Sequence, residues 1–335
     1  MNIMITGGCG YIGSHVAISL EKLGHNITIY DNFSNSSKEQ IKRLNLICTS
    51  KIDYICADIT DIKSLKNIFK DKKIKSVVHM AGLKYVADSE SDPISYYENN
   101  ITGTISLLKA MKECGIKNLV FSSSATVYGE PEYLPIDENH STSPISVYGR
   151  TKLYVENILK DLSLSDPDWS IVCLRYFNPA GAHHSGFVGE EITSKSENLF
   201  PSIGKVLLGI TPSLKVYGKD YQTHDGTGIR DYIHVLDLSE GHAMSVEYVN
   251  NNNGIENINL GRGHGYSVLE VIKSFEKITS RKIPYEFSEY RSGDISSSFA
   301  DVTKAKQILG WIAKRDLDDM CKSMWYYIEN KDSIF

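Results

Sequence analysis

The chain has 335 residues, with 36 basic and 41 acidic side chains and a formal net charge of −5. This length exceeds the usual size of one compact domain, so we expect one large unit plus a smaller one. The slight acidic excess argues against nucleic acid or an anionic membrane surface as the main partner. The start, MNIMITGG, lacks the features of a signal peptide, and no stretch approaches the roughly 18 apolar residues of a membrane span. We therefore expect an unprocessed, soluble protein.

The cysteines and histidines show no spacing typical of a metal site. The six cysteines are scattered without a CxxC pair, at Cys9, Cys48, Cys56, Cys114, Cys173 and Cys321. This pattern is typical of buried thiols in a reducing compartment, so we expect a cytoplasmic protein without disulfides. His183 and His184 are adjacent and poorly placed to chelate together, and no HExxH is present. We expect no bound metal.

Short β-rich runs alternate with helix-length segments through the first half of the chain. The predicted strands are residues 2–6, 26–30, 52–56, 76–80, 118–122 and 170–174. Such alternation predicts an α/β fold with a Rossmann-type, doubly wound parallel sheet. After about residue 178 the rhythm changes, and a helix is expected near 199–209. We predict a Rossmann domain over 1–177, with 229–249 returning to it, and a smaller C-terminal α/β lobe over 178–335.

A glycine-rich loop follows the first predicted strand. TGGCGYIGSH (6–15) places glycines at 7, 10 and 13 before a helix, where backbone can approach a pyrophosphate and helix N–H groups can bind its charge. Asp31 ends the second strand, where a carboxylate can bind ribose hydroxyls and would repel a 2′-phosphate. This pattern favours NAD over NADP. Asp58, after the third strand, could reach the adenine or cap the helix beginning near Asp61.

Tyr148 and Lys152 lie four residues apart in VYGRTKLYVE (147–156). Alone they would be an ordinary surface pair, but the nicotinamide end of a dinucleotide would lie beside them and beside SSSATVYG (122–129). A tyrosine acting as a base near neutrality must lose about three pKa units, which costs roughly 4 kcal/mol. A lysine about 5 Å away supplies roughly 3 kcal/mol, and the positive nicotinamide adds more. Ser124 can hydrogen-bond the same substrate oxygen.

Seven motifs in order along the chain together carry a resemblance. They are TGGCGYIGSH, Asp31-Asn32, HMAGLKYV (79–86), FSSSATVYG (121–129), YGRTK (148–152), RYFNPAGAH (175–183) and DGTGIRDYIHV (225–235). The set resembles the extended short-chain dehydrogenases, and within them the UDP-galactose (UDP-glucose) 4-epimerases, over nearly the whole chain. The resemblance implies that Tyr148 deprotonates the sugar's 4-hydroxyl while NAD stores a hydride, and that the 4-keto sugar turns before the hydride returns.

The resemblance also implies roles for further residues, with the 178–335 lobe mainly binding the UDP-sugar. The catalytic set would be Ser124, Tyr148 and Lys152. The expected NAD-binding residues are Gly7, Gly10, Tyr11, Ile12, Gly13, Asp31, Asn32, Asp58, Ile59, Ala81, Gly82, Lys84, Asn99, Ser122, Tyr148, Lys152, Tyr176 and Phe177. The expected substrate-binding residues are Ser124, Asn178, Asn198, Leu199, Tyr217, Arg230, Tyr232, Arg291, Asp294 and Ser298. Arginine suits this task because its planar guanidinium pairs bidentately with phosphate.

Ser298 departs from some epimerases that are similar here but carry a bulky tyrosine. In the family this position borders the C2 substituent of the sugar, so a small residue implies room for an N-acetyl group. We expect interconversion of UDP-GlcNAc and UDP-GalNAc as well as of UDP-glucose and UDP-galactose.

Three other functions are compatible with parts of this sequence. A 4,6-dehydratase is similar in fold, but Ala125 and Thr126 stand where its acid and base would be. A UDP-uronic acid 4-epimerase would need donors for a C6 carboxylate, which the sequence does not reveal, and an NAD-binding sensor would not need Ser124, Tyr148 and Lys152 together. The resemblance also implies a homodimer formed through helical segments 93–113 and 144–163.

Overall fold

The structure is a computed structural model that describes residues 1–193, 196–291 and 293–333. Its strands are β1 (Asn2–Thr6), β2 (Asn26–Asp31), β3 (Asp53–Cys56), β4 (Ser76–His79), β5 (Asn118–Ser122), β6 (Ser170–Tyr176), β7 (Asn178–Ala180), β8 (Leu214–Tyr217), β9 (Ile229–Arg230), β10 (Tyr232–His234), β11 (Gly254–Leu260), β12 (Tyr266–Ser267), β13 (Tyr285–Ser288) and β14 (Ser297–Ser298). Its α-helices are α1 (Tyr11–Lys22), α2 (Glu39–Ile47), α3 (Ile62–Asp71), α4 (Val86–Ser91), α5 (Pro93–Tyr97), α6 (Gly103–Glu113), α7 (Val147–Ser165), α8 (Leu199–Leu207), α9 (Val235–Asn251), α10 (Val268–Thr279), α11 (Thr303–Leu309) and α12 (Leu317–Asn330).

A seven-stranded parallel sheet forms the centre of the molecule, in the order β11-β6-β5-β4-β1-β2-β3. Its central strands read as continuous apolar runs because helices cover both faces. One face packs on a core that includes α1 and α9, and the other packs on α3, α6 and α7. The predicted Rossmann-type fold is confirmed, and the six predicted strands lie within two residues of the observed ones.

The helical segment from residue 93 to residue 113 is interrupted. A π-helical turn at Glu98–Thr102 separates α5 from α6. Such a turn inserts an extra residue per hydrogen-bonded ring and often occurs at functional sites. Here Asn100, in the middle of the turn, is buried. The turn therefore directs an amide side chain into the molecule close to the ends of the sheet strands.

Smaller sheets and a third core follow β6. β7 pairs with β10, β9 lies between β12 and β14, and β8 pairs with β13. α8, α10 and α12 cover this third core. α9 packs against α1, and β11 pairs with β6, so segments beyond residue 178 also contribute to the main sheet. The proposed division at residue 177 stays a prediction, and the predicted helix near 199–209 is α8.

Among the described residues there is neither a membrane-spanning helix nor a cluster of metal ligands. No helix within 1–193, 196–291 and 293–333 is long and apolar enough to cross a membrane. In the same ranges no group of three or more His, Cys, Asp or Glu side chains is arranged to hold a metal ion. All six cysteines are free thiols, and Cys9, Cys173 and Cys321 are buried.

Candidate active site

A crevice opens where the parallel strands of the main sheet end. Most of the predicted cofactor residues line it: Gly7, Gly10, Tyr11, Ile12, Gly13, Asp31, Asn32, Ile59, Ala81, Gly82, Lys84, Asn99, Tyr148, Lys152 and Tyr176. The sequence did not indicate seven further lining residues: Tyr30, Ser34, Asn35, Ser36, Ala57, Met80 and Leu83. The crevice lies at the carboxyl edge of the sheet, where doubly wound folds bind ligands.

The glycine-rich loop brings backbone unusually close to backbone. A Cβ added at Gly13 would lie 2.4 Å from the carbonyl oxygen of Gly7, and one at Gly7 would lie 2.7 Å from the amide nitrogen of Ala81. Gly7 also has a φ of 67°, which favours glycine. Gly10, the N-cap of α1, offers no side-chain cap, and no acidic residue stands in the first turn. The free N–H groups of this turn therefore fit the phosphates of a dinucleotide.

Asp31 is held in place at the end of β2. One of its carboxylate oxygens accepts a hydrogen bond from Cys9 N at 3.0 Å, and the other accepts from Phe33 N at 2.8 Å and from Ser36 Oγ at 3.0 Å. These bonds fix a buried negative charge beside the glycine-rich loop. The charge suits free ribose hydroxyls and disfavours a phosphate at that position.

Asp58 lies behind Asn32 and is not part of the crevice lining. Its carboxylate accepts from Asn32 Nδ2 at 2.9 Å and from the backbone and hydroxyl of Thr60. The alternative that Asp58 caps the following helix is wrong, because Asp61 caps α3 by accepting from Ser64 N at 3.0 Å. Asp58 instead orients the Asn32 amide.

Tyr148 and Lys152 line the crevice, and Ser124 contacts Tyr148. Ser146 caps α7 by accepting from Gly149 N at 3.0 Å, which fixes the first helical turn that carries Tyr148. The Nζ of Lys152 lies 5.7 Å from the centre of the Tyr148 ring and donates to the carbonyl of Ser122 at 2.7 Å. Ser124 follows β5, and its hydroxyl hydrogen-bonds to the Tyr148 phenol. The geometry places a phenol, a hydroxyl and an ammonium around one point.

The expectation that Lys152 lowers the pKa of Tyr148 is wrong for the protein chain by itself. Burial raises the pKa of Tyr148 to about 12, and the hydrogen bond from Ser124 only partly opposes this rise. Burial also lowers the pKa of Lys152 to about 8, opposed by the carboxylate of Glu156. Desolvation, which the sequence alone does not reveal, disfavours the charged form of both groups.

Asn100 and Glu190 were missed by the sequence reasoning. The Asn100 amide accepts from Leu83 N at 2.8 Å and donates to Thr151 Oγ1 at 3.0 Å, so it joins the loop after β4 to α7 beside the catalytic pair. Glu190 accepts from Lys84 Nζ at 3.1 Å, and Lys84 lines the crevice. The π-helical turn has no local sequence signature, and the Lys84–Glu190 pair spans more than a hundred residues.

Two other predicted cofactor residues lie away from the crevice surface. The hydroxyl of Ser122 lies 3.1 Å from His242 Nε2, while its carbonyl accepts from Lys152. Phe177 is buried in a separate apolar cluster with Val127. Neither lines the crevice, so any role for them in holding a cofactor would act through neighbouring residues.

The predicted substrate residues from the second half of the chain form a second group. Arg230 in β9 pairs with Asp294, and its strand neighbour in β14 is Ser298, which is buried. The guanidinium of Arg291 lies 4.0 Å from the centre of the Tyr217 ring. Two arginines and a tyrosine ring in one region suit a nucleotide diphosphate.

The remaining predicted substrate residues surround this group. Asn198 is the N-cap of α8, and Leu199 is the first residue of that helix. Arg291 Nη2 donates to the carbonyl of Glu197 at 3.4 Å, next to Asn198. Tyr232 is buried in β10 near Arg230, and Asn178 is exposed at the start of β7. The second group is thus assembled from α8, the five short strands β7, β8, β9, β10 and β14, and the side chains of Arg291 and Asp294.

The fold and the site resemble those of known proteins. A doubly wound sheet with a glycine-rich loop and a Ser–Tyr–Lys set is the arrangement of the extended short-chain dehydrogenases. The family model described as GDP-mannose 4,6 dehydratase matches residues 4–324. A UDP-glucose 4-epimerase of Bacillus subtilis (strain 168) is 48% identical over 325 residues, which are 97% of this chain and 96% of that protein.

Two solved structures are similar over almost their whole length. UDP-glucose 4-epimerase from Stenotrophomonas maltophila, with bound NAD and formylated UDP-arabinopyranose, is 42% identical with a TM-score of 0.98 and covers 100% of both chains. The UDP-Glc/GlcNAc 4-epimerase from Campylobacter jejuni is 35% identical with a TM-score of 0.85, covering 98% of this chain and 99% of that one. The chain therefore belongs to the UDP-glucose 4-epimerase family of extended short-chain dehydrogenases.

Proposed function

We propose that the protein is an NAD-dependent UDP-hexose 4-epimerase that interconverts UDP-glucose and UDP-galactose. The convergence of Ser124, Tyr148 and Lys152 at the crevice that contains the glycine-rich loop and Asp31 supports this proposal. The glycine-rich loop, Asp31 and Lys84 would hold NAD, which when bound accepts a hydride from C4 of the sugar and returns it. A 4,6-dehydratase is not favoured, because Ala125 and Thr126 supply no acid or base.

The protein's own residues manage the proton. Tyr148 removes the proton from the 4-hydroxyl and returns it after the 4-keto sugar has turned. Ser124 hydrogen-bonds the phenol and steadies the same oxygen. Because burial raises the pKa of the phenol, the positive charges of Lys152 and of oxidised NAD are both needed to favour the phenolate. Tyr148 would be the stronger base, and would retain the proton, while the positive charge of the cofactor is absent.

The substrate group from the second half of the chain would hold UDP. Arg230 and Arg291 supply charge for the diphosphate, and Tyr217 and Asn198 lie beside them. Strong binding of the nucleotide together with loose binding of the sugar lets the 4-keto sugar turn, since tight uniform binding of the sugar would prevent it.

The enzyme also accepts the N-acetylated pair UDP-GlcNAc and UDP-GalNAc. This part of the proposal is supported by the small, buried Ser298 in β14, next to Arg230. It is also supported by similarity to the Campylobacter jejuni protein, which is described as a UDP-Glc/GlcNAc 4-epimerase.

The enzyme forms a homodimer and acts in the cytoplasm. Exposed apolar side chains on the two expected helical segments support the dimer: Ile94 is 76% exposed, and Tyr154 is 45% exposed and stacks on Tyr97. The free cysteines suit a reducing compartment. Sedimentation equilibrium gives twice the chain mass if the dimer forms.

The test of the activity uses purified protein without added cofactor. Incubation with UDP-galactose should give UDP-glucose, followed by the anomeric proton signals, and protein absorbance should show copurified dinucleotide. The same assay with UDP-GlcNAc tests the N-acetylated pair. An unchanged UDP-galactose spectrum in the presence of added NAD would refute the proposed function.

A further inference from the structure

One face of α7 carries three ionisable side chains at successive turns. Tyr148, Lys152 and Glu156 are spaced by four residues each, so they lie in one row along the helix. The proposed mechanism uses the first two. Glu156 is equally enclosed, with a side chain only 4% exposed, and its charge requires an explanation.

Glu156 binds the segment that supports the catalytic groups. One of its oxygens accepts from Ser123 Oγ at 2.5 Å, and its carboxylate pairs with the guanidinium of Arg175 on β6, with Nη2 at 2.6 Å. Ser123 lies between Ser122, whose carbonyl accepts from Lys152 Nζ, and Ser124. The carboxylate therefore contacts the middle residue of the segment whose two neighbours contact Lys152 and Tyr148.

The partner charge is also fully enclosed in hydrogen bonds. Arg175 Nη1 donates to Tyr128 Oη at 3.1 Å, and that hydroxyl donates to Asn259 Oδ1 at 2.6 Å. The Asn259 amide donates in turn to the carbonyl of Ile136 at 2.9 Å. A buried ion pair contributes little net stability compared with an apolar pair of the same size. The Glu156–Arg175 pair instead contacts the Ser122–Ser124 segment, and this position indicates a role in the reaction.

His79 on β4 and Glu156 on α7 interact electrostatically with Lys152. On β6, Cys173 and Arg175 couple to Glu156, and Tyr176 couples to Tyr148, whose ring centre lies 5.7 Å from Lys152 Nζ. The ring of Phe121 on β5 lies 4.9 Å from the same Nζ. His79 is kept neutral by burial, which lowers its pKa to about 3. Glu156 thus provides the negative charge of this set.

We propose that Glu156 is a positioning residue of this site, which fixes the Ser122–Ser124 segment through Ser123 and supplies the negative charge that faces the Lys152 ammonium. The inference rests on the proposed epimerase function. Loss of this charge would favour neutral Lys152, and the unpaired Arg175 would favour it further. Neutral Lys152 no longer supports the phenolate of Tyr148, so activity should be lost at lower pH than in the parent.

The test compares pH profiles of kcat for UDP-galactose in the parent and in Glu156→Gln. We expect kcat at neutral pH to fall about tenfold, with KM within about twofold, and the alkaline limb to move down by about one pH unit. Asp161→Asn, the same kind of charge change at an exposed position of α7, should match the parent. An inactive parent refutes the proposed function, whereas an active parent with an unmoved limb in Glu156→Gln refutes only this inference.

Two further variants separate charge from structure and guard against misfolding. Ser123→Ala removes the 2.5 Å bond but retains both charges, so kcat should fall while the alkaline limb stays in place. Glu156→Gln with Arg175→Gln removes both charges and leaves an amide pair, and its limb should move in the same direction by a smaller amount. If the alkaline limb of the kcat profile stays at the parental pH in both Ser123→Ala and the double variant, an effect of the Glu156 charge on Lys152 is excluded.

Discussion

The two sides of the crevice are built differently. On the dinucleotide side, backbone packs against backbone and the Asp31 carboxylate has three protein donors. On the substrate side, β9 and β14 have two residues each, and Arg291 is exposed and rests on one aromatic ring. The first side leaves no room for adjustment, while the second consists of short elements with charged side chains at the surface.

This difference corresponds to what the proposed reaction requires. A cofactor that stores a hydride within one turnover must stay in place, so close backbone contact is an advantage. A sugar that must present both faces needs a binding region with few contacts around the ring. The comparison leads to four predictions, in order of decreasing effect.

Tyr148→Phe should give the largest effect, because it removes the only proposed proton acceptor. We expect kcat to fall by about 10³-fold, while the dinucleotide content, measured by absorbance after denaturation, stays at the parental level. The ring remains packed with Tyr96 and Val147, so the fold should be retained. Epimerisation at the parental rate would contradict the mechanism.

Ser298→Tyr should act on the substrate side alone. The added ring would occupy the space proposed for the N-acetyl group, so the ratio of activity on UDP-GlcNAc to activity on UDP-glucose should fall by about 100-fold. Ser297→Tyr is a matched control, because successive residues of a strand point to opposite faces. Competition between substrates in one reaction measures the ratio directly, and an equal loss of both activities would contradict the proposal.

Gly13→Ala tests the close packing of the dinucleotide side. Its methyl group would overlap the carbonyl of Gly7 and the Cα of Gly8, whereas the methyl of Gly10→Ala would lie 3.3 Å from the Gly7 carbonyl. Overpacking of this kind costs about 1–3 kcal/mol, equivalent to a loss of roughly 5- to 150-fold in NAD affinity if it falls on the bound state. Titration calorimetry on protein stripped of dinucleotide should show a larger loss for Gly13→Ala. Equal affinities would show that the loop can adjust.

Arg291→Lys should have the smallest effect. The lysine retains charge but loses the flat contact with Tyr217, so KM for UDP-glucose should rise about tenfold with kcat nearly unchanged. Arg281→Lys is the control, because that guanidinium lies 4.9 Å from the Trp325 ring outside the crevice. A similar rise in KM for both variants would show a general effect of the substitution.

The strands, the glycine-rich loop and the Tyr148–Lys152 pair could be predicted because their signals are local. Apolar runs, a spacing of three residues between glycines and a spacing of four on a helix are visible in a single sequence. Glu156 shares that spacing with Lys152, so its place in the row was also visible. Its partner Arg175 was not, because the pairing depends on how α7 packs across β6.

Other features depend on packing that the sequence does not display. Residues 34–36 line the crevice only because Asp31 draws the loop back through Phe33 N and Ser36 Oγ. Asn100 reaches Leu83 and Thr151 only because a π-helical turn rotates it inward. The pKa of Tyr148 was misjudged for a related reason, since the degree of burial follows from the tertiary fold.

The order of strands in the main sheet has a consequence for synthesis of the chain. β11 is the last strand of the main sheet to leave the ribosome, yet it pairs along the whole of β6, which is made more than 80 residues earlier. Until Leu260 has emerged, β6 is an open edge with free N–H and C=O groups. During that interval the unpaired edge of β6 can form hydrogen bonds with a strand of another chain. Chaperone dependence should therefore be greatest for fragments that stop just before Gly254.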